Sequence, residues 1–118
     1  MTNDNLPFSV DTLKEQCGGN KDVIAVVLDE FLIQAPTDTS EMDAGLTAGD
    51  LVKAGKAAHR LKGSAGVLGA TALFTLCLEL EMACKENNLE TSKKTLTELK
   101  LEAGRCVDAV PVALATLQ

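Results

Sequence analysis

Apolar residues recur at every third or fourth position along nearly the whole chain, which is the spacing of one buried helix face rather than the alternation of a strand. Phe8 to Gln16 reads as a short first helix, stopped by Gly18-Gly19. Asn20 caps a second helix with the stripe Ile24, Leu28, Phe31, Ala35, Met42 and Leu46. That register survives Pro36, which predicts one long element kinked there. A break is the alternative, because proline removes a backbone donor and disfavours helical geometry at Ala35. Gly49-Asp50 ends the element, and Asp50 caps a third helix running to about Val67, with Gly69 in the turn beyond. Helix four is expected from about Ala70 to Glu86, with Leu73, Cys77, Leu80 and Cys84 on one face and Asn87-Asn88 closing it. Helix five starts near Leu89. Its stripe is Leu89, Ser92, Leu96, Leu99, Ala103, Cys106, Val110, Ala113 and Leu117, and Pro111 kinks or ends it.

Short links between long amphipathic helices imply antiparallel neighbours. The expected fold is all-α, an antiparallel four-helix bundle with a short N-terminal covering helix. A length of 118 residues argues for a single domain, 1–118. A fold of this size buries roughly 65% of the surface its unfolded chain exposes. With 46% hydrophobic residues and only Phe8, Phe31 and Phe74 as aromatics, Leu, Ala, Val and Met must fill the interior.

The net charge of −6 makes nucleic acid a poor partner. The charge is unevenly spread. No acidic residue falls between Leu51 and Leu78, where Lys53, Lys56, Arg60 and Lys62 all lie around the chain's one histidine, His59. A plain solvated helix face is the competing explanation. Cys17, Cys77, Cys84 and Cys106 match no zinc spacing, and one histidine offers little support for a metal site. Met1 to Pro7 lacks the apolar core of a secretion signal. No run approaches the roughly 20 apolar residues of a membrane span. A cytoplasmic, monomeric protein with reduced, mostly buried thiols and no membrane contact is expected.

Helix three can be read by angle, at about 100° per residue. With His59 at zero, Gly55, Gly63, Gly66 and Lys62 fall within about 60° of it. Ala54, Ala57, Leu61, Ala65 and Leu68 cluster opposite, so His59 should point away from the core. Glycine inside a helix costs about 1 kcal/mol relative to alanine. Three glycines around one imidazole clear an approach path; close helix packing is the other explanation. An exposed imidazole is mostly neutral at pH 7 and nucleophilic, and nearby cations favour that form. They would also offset the charge of a phosphoryl group attached to it, Lys62 at i+3 being best placed. Helix four returns antiparallel, so Glu79 or Glu81 can approach His59. A carboxylate accepting from Nδ1–H would fix the tautomer and leave Nε2 to attack.

The segment Ala58-His59-Arg60-Leu61-Lys62-Gly63-Ser64-Ala65, followed by Gly69-Ala70, resembles the signature of histidine-containing phosphotransfer (HPt) domains. Leu76-Cys77 and Leu80-Glu81 resemble the family's next helix, and Pro36 and Asp50 fit its spacing. The looser pattern spans Phe31 to about Asn87, and the core motif is intact. The resemblance implies a phosphorelay intermediate in two-component signalling. His59 would take a phosphoryl group from a receiver-domain aspartate and pass it to another. Lys62 and Gly63 would support the phosphohistidine and leave it room, and Glu81 would stand beside the imidazole. The partners implied are receiver domains of response regulators and of a hybrid sensor histidine kinase. No cofactor is implied for this chain, Mg²⁺ coming with the receiver, and no ATP-dependent kinase activity; Leu61-Lys62-Gly63-Ser64 also lacks the spacing of a P-loop.

Val52 and Val67 flank the glycine face as candidate apolar docking contacts, with Gly55, Lys56, Arg60 and Gly66 around them. The basic group would attract an acidic receiver pocket and raise the on-rate. Starting at Met1 and ending after the last helix favours a stand-alone carrier. Three rivals remain: an inert helical interaction module, metal or haem binding through His59, and a thiol redox role. The last is weakened because Cys77 and Cys84 share a face too far apart to bridge within one helix.

Overall fold

A computed structural model of the chain describes residues 6–117. The expected span 1–118 therefore includes five residues at one end and one at the other that lie outside the described residues. Five helices follow in order: α1 Val10–Gln16, α2 Lys21–Thr47, α3 Leu51–Leu68, α4 Thr71–Lys85 and α5 Leu89–Thr116. Their starts follow from local chemistry. The side chains of Ser9, Asn20, Asp50 and Asn88 each accept a backbone N–H in the first turn of the helix they precede. Ala70, ahead of α4, supplies no such side chain. α1 begins two residues later than its apolar pattern suggests, because Ser9 takes the cap position; Phe8 stays buried just before it.

Pro36 lies inside α2, which runs unbroken through it. The reason is the buried face: Ala35, Asp38 and Met42 continue it on both sides of the proline. The hydroxyls of Thr37 and Thr39 donate to the Ile33 and Ala35 carbonyls at 2.9 and 3.0 Å, giving those acceptors a second donor near the interruption. Pro111 likewise sits within α5 rather than ending it.

α3 packs on α2 and α4, α4 on α5, and α5 back on α2, closing a bundle of four helices; α1 covers α3 and α2 at one end. The turn after α3 is tight because Gly69 adopts φ 66°, a left-handed conformation, and its N–H bonds the Gly66 carbonyl. Gly45 lets the end of α2 approach the start of α3: a Cβ there would lie 2.9 Å from the Ala54 nitrogen. α3 is the central element of the core. Ala54, Ala57, Ala58, Leu61 and Ala65 are fully buried, and small residues there bring the neighbouring helices close. Among the described residues no helix is long and apolar enough to cross a membrane.

Candidate functional site

His59 stands on the outer face of α3, between the buried Ala58 and Leu61 and opposite the core, with 67% of its side chain exposed. Of the two glutamates that α4 carries at this level, Glu81 reaches it. Its Oε2 lies 2.9 Å from His59 Nδ1, and its Oε1 accepts from Lys62 Nζ at 2.7 Å. Glu79 is exposed. The choice follows from register. Glu81 is four residues after Cys77 and three before Cys84, so it flanks the buried stripe of α4, and Glu79 sits on the far side.

The Lys62 hydrogen bond holds the Glu81 carboxyl below the usual carboxylate range, and the His59 contact adds to this against the opposing effect of burial. Glu81 is therefore ionised at neutral pH and can only accept. The proton between it and His59 belongs to Nδ1, and the lone pair of the neutral ring sits on Nε2, facing away from the carboxylate. An outward-facing Nε2, with Nδ1 engaged by the carboxylate, is what this arrangement offers chemically.

The expected cations divide. Lys62 is bound to Glu81 rather than left open beside the ring. Arg60 turns to α2: its Nε donates to Asp38 Oδ1 at 3.1 Å and its Nη2 to Glu41 Oε1 at 2.8 Å. Asp38 is fully buried, also accepts from Gln34 Nε2, and keeps Oδ2 without a protein partner. Arg60 thus belongs to a network joining α2 and α3, and it is less free to steer a partner than the sequence suggests. Lys85, which sequence reasoning missed, brings its ammonium to 3.8 Å from Glu81 Oε2. Its signal was the i+4 spacing from Glu81 on the same helix.

The three glycines also divide. A Cβ on Gly63 would meet nothing within 4 Å, so this position alone leaves open space beside the imidazole. A Cβ on Gly55 would press on the Cys84 Cβ at 3.3 Å, and one on Gly66 would touch the Phe74 ring at 3.8 Å. Gly55 therefore serves the close approach of α4 to α3, a side chain at Gly66 would make only ordinary contact with Phe74, and Gly63 leaves the open space.

Two grooves border α3, and His59 lines the first of them. One, about 510 Å³, is lined by Leu51, Val52, Gly55, Lys56, His59, Arg60, Glu81, Cys84 and Lys85. It gathers four of the predicted docking residues, Val52, Gly55, Lys56 and Arg60, around the histidine. The other lies between α2 and α3 and includes Val27, Ile33, Arg60, Ser64 and Val67. Val52 is exposed, whereas Val67 is half-buried against the core. Val26 and Ile33 on α2 are exposed and were missed, because they fall off the stripe that the periodicity singles out.

The cysteines are unpaired. Burial pushes the Cys77 and Cys106 thiols up to about 12 and raises Cys84 as well, so none of these three is a ready thiolate. Cys17 is half-buried. Among the described residues no three His, Cys, Asp or Glu side chains gather as a metal-ion set.

A family model for the Hpt domain matches residues 26–109. The chain is 32% identical over 92 residues to histidine-containing phosphotransfer protein 2 of Arabidopsis thaliana, a match covering 75% of this chain and 59% of that protein. It thus spans about three fifths of the length of the curated relative it matches. In fold it is similar to histidine-containing phosphotransfer protein B (HptB) from Pseudomonas aeruginosa PAO1, with a TM-score of 0.85 and 22% identity, covering 92% of this chain and 95% of that one. It is also similar to the HPT domain of a sensor hybrid histidine kinase from Shewanella, with a TM-score of 0.81 and 22% identity, covering 93% and 95%.

Proposed function

The chain belongs to the Hpt domain family, and from that premise we propose that it is a phosphorelay intermediate carrying a phosphoryl group on His59. The observation that carries the reading is an exposed imidazole whose Nδ1 is tied to a buried carboxylate at 2.9 Å. Its Nε2 lone pair attacks the phosphorus of a receiver's aspartyl phosphate. The P–N bond forms, the P–O bond breaks, and the aspartate leaves as a carboxylate. The Nδ1 proton stays in place, and Glu81 offsets the positive charge that the ring acquires. Phosphoryl transfer is largely positioning and charge stabilisation, so one placed imidazole suffices for a carrier. The second half-reaction is the reverse of the first on another receiver.

The partners in this reading are receiver domains, of response regulators and of a hybrid sensor histidine kinase. They dock over the face around His59 by way of Val52, Gly55, Lys56 and Arg60, with Val67 in the α2–α3 groove and Gly66 on the side of Phe74. Gly63 leaves the reacting group its room, and Lys62 fixes Glu81. The groups around His59 are lysines and a single carboxylate already held by Lys62, a donor set that disfavours a divalent cation. Mg²⁺ is therefore assigned to the receiver. In this reading the chain has no ATP-dependent kinase activity of its own and works in the cytoplasm as a monomer.

Incubation with receiver domains phosphorylated on their aspartates tests the proposal. Acid-labile label should move to this chain and be absent from His59→Ala, which keeps its helicity. A folded wild-type chain that takes no label from any receiver of its host would overturn it.

A further inference from the structure

We infer that Lys85 is the cation that meets the phosphoryl group on His59 Nε2, and that Lys62 acts one step back, as the positioning residue of Glu81. The inference rests on the phosphorelay reading above and adds a residue outside the segment that resembles the family signature. Four cations surround His59: Lys56, Arg60, Lys62 and Lys85. Two are committed. Lys62 is only 21% exposed and holds Glu81 Oε1 at 2.7 Å. Arg60 holds the fully buried Asp38. Removing either from its partner strands a carboxylate that is nine-tenths buried or more, which costs more than an exposed phosphate contact returns.

Lys85 is differently placed. Its side chain is 74% exposed, and its ammonium stands 3.8 Å from Glu81 Oε2, beyond hydrogen-bond length. It is held near the site and free to move. Oε2 is also the oxygen that takes His59 Nδ1, so the ammonium and the imidazole share one neighbour. Both line the same groove.

The direction of the side chains separates Lys85 from Lys56. Long side chains on a helix lean toward its N-terminus. Lys56 precedes His59 on α3 and so leans away from it. Lys85 follows Glu81 on the antiparallel α4 and leans back toward the level of His59. Once the phosphoryl group is attached, two negative charges stand where a lone pair stood. A mobile lysine can follow them and form a charge-assisted hydrogen bond.

The test is the equilibrium partition of phosphoryl between a receiver aspartate and His59, measured with the full chain and an isolated labelled receiver domain. A docking contact changes the rate of approach to equilibrium and leaves the partition alone. A contact to phosphohistidine changes the partition itself. Lys85→Ala is expected to shift it about tenfold toward the receiver, the size of one charge-assisted hydrogen bond. Lys85→Arg should restore most of it, and added salt should shrink the shift. Lys94→Ala, an exposed lysine on α5, controls for net charge and should leave the partition unchanged. Circular dichroism checks the fold of each variant. An unchanged partition in folded Lys85→Ala, with or without slower transfer, overturns the assignment to Lys85 while leaving the relay intact. A wild-type chain that takes no phosphoryl at all overturns the relay reading instead.

Discussion

Glu81 binds the imidazole with one oxygen and Lys62 with the other, and this division sets what a substitution there does. Glu81→Gln keeps an acceptor for Nδ1–H and loses the charge that, in the proposed relay, stabilises the phosphorylated ring. Glu81→Ala loses both. Hydrogen bonds to charged groups are worth about 1.5–3 kcal/mol, so phosphoryl transfer should slow about tenfold in the glutamine variant and about a hundredfold in the alanine variant. Rapid-quench transfer from a labelled receiver measures both. The same carboxylate leaves a mark on stability. Its pKa is lowered from 4.5 by Lys62 first and His59 second, so the ionised form stabilises the fold. That contribution is present above pH 4.5 and is lost as pH falls through the lower, folded-state value. The gap in Tm between wild type and Glu81→Gln should narrow on acidification below pH 4.5. A gap independent of pH would mean the ionised carboxylate contributes nothing. At Asp38 the prediction concerns stability alone. Asp38→Ala removes the acceptor of Arg60 Nε and Gln34 Nε2 and leaves a small cavity. It should cost about 2 kcal/mol in urea unfolding.

At the scale of the helices, α3 has to bury one face and keep the opposite one bare. Its glycines separate those duties and can be tested as a pair. Gly63→Leu meets open space, so the fold should survive or gain up to about 1 kcal/mol from helix propensity, while transfer from a receiver is blocked. Gly55→Leu drives a side chain into Cys84 and should lose about 1–3 kcal/mol. Thermal melts and transfer assays on both variants check this, and a Gly63→Leu chain with wild-type transfer would mean that the approach does not pass over that face. All five helices were legible from apolar spacing and caps, because Asn20, Asp50 and Gly69 mark ends that the stripes leave open. The direction of His59 was legible from angle alone. The fate of its neighbours was not. Gly55, Gly63 and Gly66 look alike on a helical wheel, and only the path of α4 distinguishes clearance from packing. Arg60 reads as a steering charge until Asp38 is seen to occupy the buried stripe of α2, three residues after Ala35 and four before Met42. That register was a signal in the sequence, an ionisable group where an apolar one belongs, and it calls for a partner from the facing helix. Lys85 lay beyond the segment where the charge imbalance drew attention.

The molecule is an acidic rod, 45 × 22 × 19 Å over the described residues, with net charge −6 and the exposed Lys56 and Lys85 in the groove beside His59. In the proposed relay a receiver would bring an acidic pocket against the histidine at this place. Association should therefore slow as salt rises and the Debye length, about 8 Å at 0.15 M, shortens. Lys56→Glu should lower the second-order rate of transfer at low salt by about tenfold and leave the rate at saturating receiver nearly unchanged. Stopped-flow transfer at varied receiver concentration separates the two. The most direct measurement at this scale identifies the phosphorylated atom. Nitrogen-15 NMR of the imidazole, recorded on the chain after a receiver has phosphorylated it, reports which nitrogen bears phosphorus and which a proton. Phosphorus on Nε2 with the proton on Nδ1, in contact with Glu81, is the expected result. Phosphorus on Nδ1, or a folded chain whose imidazole is unchanged, would contradict it.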